Sequence, residues 1–191
     1  MEEETFQEEN FNQIDYSEKR MSGASYDTCK FTGCNFANSD LRRLEFMDCQ
    51  FLDCNFTLTN ISDAAFKNVG FHQCKIMGID FSKCDDFLFS ATFSGCALDY
   101  SIFHAKNLKK AIFDQCSLKS VDFSNADLTS AVFDNCDLLQ ATFEDTLLEK
   151  ADFSTSYNLD LDPEKNRIKK AKFSLSALPG LLSKYNLDID Y

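Results

Sequence analysis

The residues of this chain that could do chemistry are nine cysteines, two histidines and one adjacent pair of aspartates. Cysteine and histidine are common zinc ligands, but the sequence has no Cys-x-x-Cys pair and no zinc-type spacing. His72 and His104 lie far apart, with no serine or cysteine motif beside either. Asp85 and Asp86 could act as paired carboxylates in a groove, although paired acids on an acidic surface are more often simply solvated. We therefore expect no catalytic residues, no metal and no cofactor, and predict that the protein is not an enzyme.

The spacing of the cysteines points to structure rather than to chemistry. Eight of them lie two positions before a large residue, a place that Ala, Ser, Thr and Val also occupy and from which Leu44, Ile79 and Lys106 depart. A spacing of 20 residues relates the members of two series, Cys34, Cys54 and Cys74, and Cys96, Cys116 and Cys136. Free cysteine in such a place behaves as a small apolar residue. Cys84 lies outside this pattern, and we expect it to be the most reactive thiol.

Large apolar residues recur every five positions. The first series is Phe31, Phe36, Leu41, Phe46, Phe51, Phe56, Ile61, Phe66, Phe71, Ile76 and Phe81, and after a slip of two residues a second series runs from Phe93 to Phe153. This period fits neither a strand nor a helix. It fits a solenoid in which each five-residue unit forms one side of a square coil of 20 residues, with a rise of about 4.8 Å per coil.

The units resemble the pentapeptide-repeat family, whose pattern is A(D/N)LXX with a central Phe or Leu. Units that begin at Ala126, Ala131 and Ala151 match this pattern, and the resemblance covers about residues 26–155. It implies an all-β fold, a right-handed quadrilateral β-helix (pentapeptide-repeat solenoid), with a short C-terminal helix and strand.

A narrower resemblance rests on the break at Met77–Asp80, the segment 158–173 and the short tail, which look like the Qnr, McbG and AlbG group. That group implies a DNA-mimicking protein that binds DNA gyrase or topoisomerase IV and protects it from quinolone or peptide toxin poisons. The group also implies a homodimer formed through the C-terminus. The long insertions that some Qnr members use as functional loops are absent. The alternative function is a non-catalytic scaffold or adaptor with an unrelated protein partner.

The pattern predicts five segments along the chain. Residues 1–25 form an N-terminal cap and irregular first coil, 26–81 the first half of the β-helix, 82–92 a register slip or kink, 93–156 the second half, and 157–191 a final partial coil and a C-terminal dimerisation or capping segment. In this tail, leucines at helical spacing follow Leu175, and the last five residues alternate as in a strand. An intramolecular cap and a dimer interface both remain open. The predicted dimerisation residues are Leu178, Leu181, Leu182, Tyr185, Leu187, Ile189 and Tyr191.

The net charge is −12, which argues against direct nucleic-acid binding because that requires a basic surface. No apolar run approaches the roughly 18 residues of a membrane span, and no signal peptide is visible, so we expect a cytoplasmic protein. Acidic residues are concentrated in residues 1–20 and in residues 81–160. The second range contains thirteen acidic and six basic residues. The predicted partner-binding residues are Asp85, Asp86, Phe87, Phe89, Asp114, Asp122, Asp127, Asp134, Asp137 and Glu144. The alternative is that the charge only keeps the rod soluble.

Overall fold

The computed structural model describes residues 4–21 and 25–188. They form a parallel β-solenoid of about eight coils, which confirms the predicted fold class. At the spacing of neighbouring strands, eight coils make a rod about 38 Å long. The strands are β1 Thr5–Gln7, β2 Asn10–Asn12, β3 Ser25–Asp27, β4 Lys30–Thr32, β5 Glu45–Met47, β6 Gln50–Leu52, β7 Ala65–Lys67, β8 Val69–His72, β9 Ala91–Ser94, β10 Ile112–Asp114, β11 Val132–Asp134, β12 Asp152–Phe153 and β13 Lys172–Phe173.

The solenoid has four sides, and each coil has one large inward residue on each side. We number the sides 1 to 4 in the order in which the chain passes through them. Strands β1, β3, β5 and β7 pair on side 1, and the other nine strands pair on side 2. Sides 3 and 4 are joined by isolated parallel bridges, such as Asn35 with Asn55 and Asp122 with Thr142. Inward residues include Phe46 and Leu128 on side 1, Phe51 and Phe133 on side 2, Phe56 and Leu138 on side 3, and Ile61 and Phe123 on side 4.

The core is a lattice of aromatic rings. Rings at the same place on successive coils are stacked, as for Phe113 and Phe133, whose centroids are 5.0 Å apart. Rings on neighbouring sides meet edge to face, as for Phe113 and Phe123 at 5.8 Å. Aromatic pairs favour both arrangements. The five-residue period therefore predicts the inward positions correctly.

The corners of the coil need an unusual backbone conformation. At most corners the residue two places after the inward one has a positive φ, and this includes residues with side chains, such as Leu58 at 56° and Lys110 at 60°. Its amide donates to a carbonyl on the next coil: Leu58 N lies 3.1 Å from Met77 O, and Lys110 N lies 3.0 Å from Thr129 O. These bonds between coils offset the cost of the left-handed conformation.

All nine cysteines are free and buried. The prediction that Cys84 lies outside the inward pattern is wrong. Its Sγ donates to Ile61 O at 3.7 Å, as Cys54 Sγ donates to Phe31 O at 3.5 Å, so Cys84 occupies an ordinary small inward position. Burial raises the pKa of Cys84 to about 12, which keeps the thiol protonated at neutral pH.

The two-residue slip enlarges a single coil. Phe71 pairs with Phe93, 22 residues later, whereas Phe51 pairs with Phe71 and Phe93 with Phe113 at the usual 20. The extra residues lie on side 1, in a segment of residues 85–90 that we call the bulge. The bulge is anchored where Asp85 N donates to Ala64 O and Ser90 N donates to Phe66 O, both at 3.0 Å.

The C-terminal tail folds over the last coil. The helix α1, Leu178–Leu182, lies between two 3₁₀ turns, Leu175–Ala177 and Ser183–Tyr185, with Pro179 in its first turn. Leu181 is buried with Leu159 and Leu161 of the last coil. Residues 187 and 188 form no strand, and residues 189–191 lie outside the described ranges. Within those ranges no helix has the length or apolar character to cross a membrane.

Candidate partner-binding surface

The bulge places its predicted binding residues in two layers. Asp85, Asp86 and Phe87 are exposed, and the Phe87 side chain is 67% accessible to solvent. Asp85 Oδ1 accepts a 2.8 Å hydrogen bond from the amide of Phe87, which tightens the turn. Phe89 instead points inward, where its ring meets the edge of Phe81 at 6.2 Å. Leu88, which sequence analysis did not single out, is 64% exposed beside Phe87 and completes an apolar tip.

Three of the predicted binding acids cap turns of the solenoid. Asp122, Asp127 and Asp137 precede an inward residue, and each accepts a bond from an amide two residues later, at 2.8, 3.1 and 3.2 Å. Asp127 and Asp137 also pair with Lys109 and Lys119. Although burial acts to raise it, hydrogen bonds from Thr129 and Lys109 hold the pKa of Asp127 below its usual value. These carboxylates stabilise the rod, and those of Asp127 and Asp137 are partly neutralised.

Asp114 and Asp134 form an outward column on side 2. They are register partners on β10 and β11, so their spacing is that of neighbouring strands, about 4.8 Å. Neither forms an ion pair with a described residue, and their hydrogen bonds come from neutral groups such as Ser94 Oγ and Thr155 Oγ1. Glu144, on side 4, is exposed but pairs with Lys165 at 3.0 Å. Asp114 and Asp134 therefore form a column of predicted acids that no described cation compensates.

Side 2 also presents apolar groups that the sequence analysis missed. Ile112 and Val132 are 47% and 37% exposed on the same strands as Asp114 and Asp134. Each directly precedes an inward phenylalanine. Because successive side chains of a strand point to opposite faces, Ile112 and Val132 point outward. Together the four residues make a strip that is both apolar and acidic.

Side 1 of the last coils is basic. Its exposed cations without an ion pair among the described residues are Lys110, Lys150, Arg167, Lys169 and Lys170. The acidic second half predicted from the sequence is therefore not uniform around the rod. Arranging the charges in columns of 20 residues would have revealed this separation. A positively charged protein groove could approach side 2 but would be repelled by the last coils of side 1.

One predicted departure from the lattice, Lys106, lies inside the rod. Its side chain is 1% exposed, and its Nζ donates to Asp86 Oδ1 at 2.7 Å and to Cys84 O at 3.1 Å. The sequence pattern makes position 106 a small inward position but predicts no role for the lysine there. Elsewhere, no cluster of three His, Cys, Asp or Glu residues in the described ranges could hold a metal ion.

The predicted dimerisation residues divide between core and surface. Leu181 is buried against its own last coil and Leu182 is half-buried, whereas Leu178, Tyr185 and Leu187 are about half exposed. Ile189 and Tyr191 lie outside the described residues. The tail is thus an intramolecular cap that keeps an exposed apolar surface.

The fold and the repeating units define a pentapeptide-repeat solenoid. Family models described as "Pentapeptide repeat region" and "Pentapeptide repeats (8 copies)" match residues 24–103 and 126–155. The chain belongs to the pentapeptide-repeat family.

The chain is similar to several solved structures. A trypsin-treated form of QnrB1, a plasmid-mediated fluoroquinolone resistance protein, is 15% identical, with a TM-score of 0.62 and 97% of each chain covered. Full-length QnrB1 is 20% identical over 96% of this chain and 100% of its own, with a TM-score of 0.49. HetL, a pentapeptide-repeat protein of heterocyst differentiation regulation from the cyanobacterium Nostoc, is 17% identical over 90% and 86%, with a TM-score of 0.35. No curated protein sequence matches the chain.

Proposed function

We propose that the acidic strip on side 2 binds the DNA-binding groove of a type II topoisomerase, DNA gyrase or topoisomerase IV, in the cytoplasm. Occupying that groove, the rod competes with DNA and protects the enzyme from quinolone or peptide toxin poisons. The observation that carries the proposal is the column of Asp114 and Asp134, which have no ion-pair partner among the described residues on a rod whose side 1 is basic. The fold that this chain shares with QnrB1 supports the same function.

The charge match to DNA is partial. The column offers one carboxylate per coil, about every 4.8 Å, whereas duplex DNA carries one charge per about 1.7 Å. Ile112 and Val132 add apolar contacts that a phosphate backbone lacks. The rod therefore binds as a protein surface that shares the shape and sign of DNA.

A supercoiling and cleavage assay with gyrase and a fluoroquinolone tests the function, and wild-type protein should restore supercoiling. Replacing Asp114 and Asp134 by asparagine keeps their hydrogen-bond acceptors but removes two charges, and should weaken binding about tenfold or more. The matched control changes Asp48 and Asp53 to asparagine, two acids at corner positions with φ of 52° and 54° that asparagine readily adopts. Failure of wild-type protein to protect, with capture of another protein instead, would favour the scaffold function.

We also propose a homodimer through the exposed tail residues. Leu178 and Leu187 are 44% and 57% exposed, and Leu175 is 86% exposed. Changing Leu178 and Leu187 to serine should convert a dimer to a monomer in sedimentation velocity, because their exposed apolar area drives association. Leu139→Ser, at a similarly exposed leucine on the rod, is the control. A wild-type monomer, or a dimer that survives both changes, would contradict the proposal.

A further inference from the structure

Lys106 occupies a position that the fold normally gives to small residues. On the coils before and after it, the equivalent inward positions hold Cys84 and Ala126, and both are buried. A lysine that is 1% exposed in this column has lost its hydration. Burying an ammonium group is costly unless it is paired and hydrogen-bonded. The position of Lys106 thus requires compensating contacts.

Those contacts all come from the bulge and the residue that precedes it. The ammonium group donates to the carbonyl of Cys84 at 3.1 Å and to the carboxylate of Asp86 at 2.7 Å. It also lies 4.5 Å from the centroid of the Phe89 ring, which is a cation–π geometry. From inside the rod, Lys106 therefore links Cys84 and Asp86, at the beginning of the bulge, to Phe89 near its end.

The result is an apolar tip on a supported loop. Phe87 and Leu88 lie between Asp86 and Phe89, the two bulge residues that Lys106 contacts. The tip is two-thirds exposed, and two carboxylates border it: Asp85, which has no ion pair among the described residues, and Asp86, which is paired with Lys106. An apolar pocket bordered by basic side chains on a protein partner has the complementary chemistry. Holding a loop in its bound conformation before binding reduces the entropy lost on association.

We propose that Lys106 is a positioning residue that holds the bulge in one conformation and so presents Phe87 and Leu88 to an apolar, basic-bordered pocket of the partner protein. This rests on the proposed function for the identity of the partner, a type II topoisomerase. The clamp itself is a property of this chain alone. It can therefore be measured with or without the partner.

Hydrogen exchange tests the clamp. In Lys106→Ala, alanine suits the column as Ala126 does, so the rod should stay folded while exchange across residues 84–90 accelerates at least tenfold. Lys106→Met, which keeps the side-chain length but removes the charge, should show the same local effect. Lys83→Ala, at an exposed lysine paired with Asp80, is the control. Unchanged protection of residues 84–90 in both Lys106 variants would overturn the clamp.

Binding to gyrase tests the tip. Phe87→Ser with Leu88→Asn should weaken binding about tenfold, whereas Leu58→Asn, a leucine with similar exposure and positive φ, should not. Lys106→Ala should weaken wild-type binding but add nothing to the tip variant, because it acts through the tip. Equal binding by wild-type and tip variant would overturn the contact. If wild-type protein does not bind gyrase at all, the proposed function and this partner both fail, while exchange still decides the clamp.

Discussion

Replacing Phe123 by alanine should lower the free energy of unfolding by about 3–5 kcal/mol, the usual cost of truncating a buried phenylalanine. The side chain is fully buried on side 4, and its ring stacks on Phe103 at 5.4 Å and on Phe143 at 5.3 Å. It also meets Phe113 and Phe133 edge to face, both at 5.8 Å. The variant loses four ring contacts and leaves a cavity that the coils above and below cannot fill.

Urea denaturation followed by circular dichroism measures this effect. The matched control is Phe87→Ala, the same chemical change at a ring that is 67% exposed, which should cost less than about 0.5 kcal/mol. Because each coil contacts only its neighbours, the loss at Phe123 should first open the coils around it. If the two variants were equally stable, the inward lattice would not be the source of stability.

Sequence periodicity predicted the lattice because inward packing restricts residue type at every coil. Position 123 must be large and position 121 small, since the stacked coils leave a fixed volume at each. The prediction that Cys84 lies outside the inward pattern was wrong. It rested on position 86, two places later, which holds an aspartate where the pattern requires a large apolar residue. What places Cys84 inward is the previous coil: Asp85 N bonds to Ala64 O, so the chain stays in register one residue longer than the large residues indicate.

The roles of the acidic residues were harder to predict, because aspartate occupies two different positions in the repeating unit. Aspartate before an inward residue caps a turn, as Asp127 does, whereas aspartate after it points outward, as Asp134 does. The A(D/N)LXX pattern carries this distinction, since the second position accepts Asn as readily as Asp. A charge that is required for binding would not be exchangeable with a neutral amide. Position within the unit therefore separates structural from exposed acids better than charge alone.

The bulge and the tail depend on contacts that no period encodes. Lys106 reaches residues about 20 positions earlier, and only the three-dimensional register brings its ammonium group to Asp86. Likewise, helical spacing identified the apolar residues of the tail, but not which of them face the last coil. The structure assigns Leu181 to the core and leaves Leu178 exposed.

Gly180→Ala should detach the tail from the last coil, the other large effect that we expect. A Cβ at this position would lie 1.8 Å from Leu159 O and 2.9 Å from Leu159 C, and both are backbone atoms that cannot rotate away. Helix α1 would have to lift by more than an ångström, which would weaken the 3.3 Å bond from Leu161 N to Gly180 O. Overpacking of this kind costs about 3 kcal/mol. Exchange of the Leu161 amide should therefore accelerate about 100-fold.

Ser176→Ala, at an exposed position just before the helix, is the control and should leave exchange unchanged. Lifting α1 also pulls on the bonds from Ser183 to Asp160 and from Lys184 to Asp162, so exchange should rise throughout residues 159–164. Coils distant from the tail should keep their protection, because each contacts only its neighbours. Unchanged exchange at Leu161 would show that the close approach of Gly180 does not hold the cap. A loss of protection that spread through the whole rod would instead make the tail part of one cooperative unit with every coil.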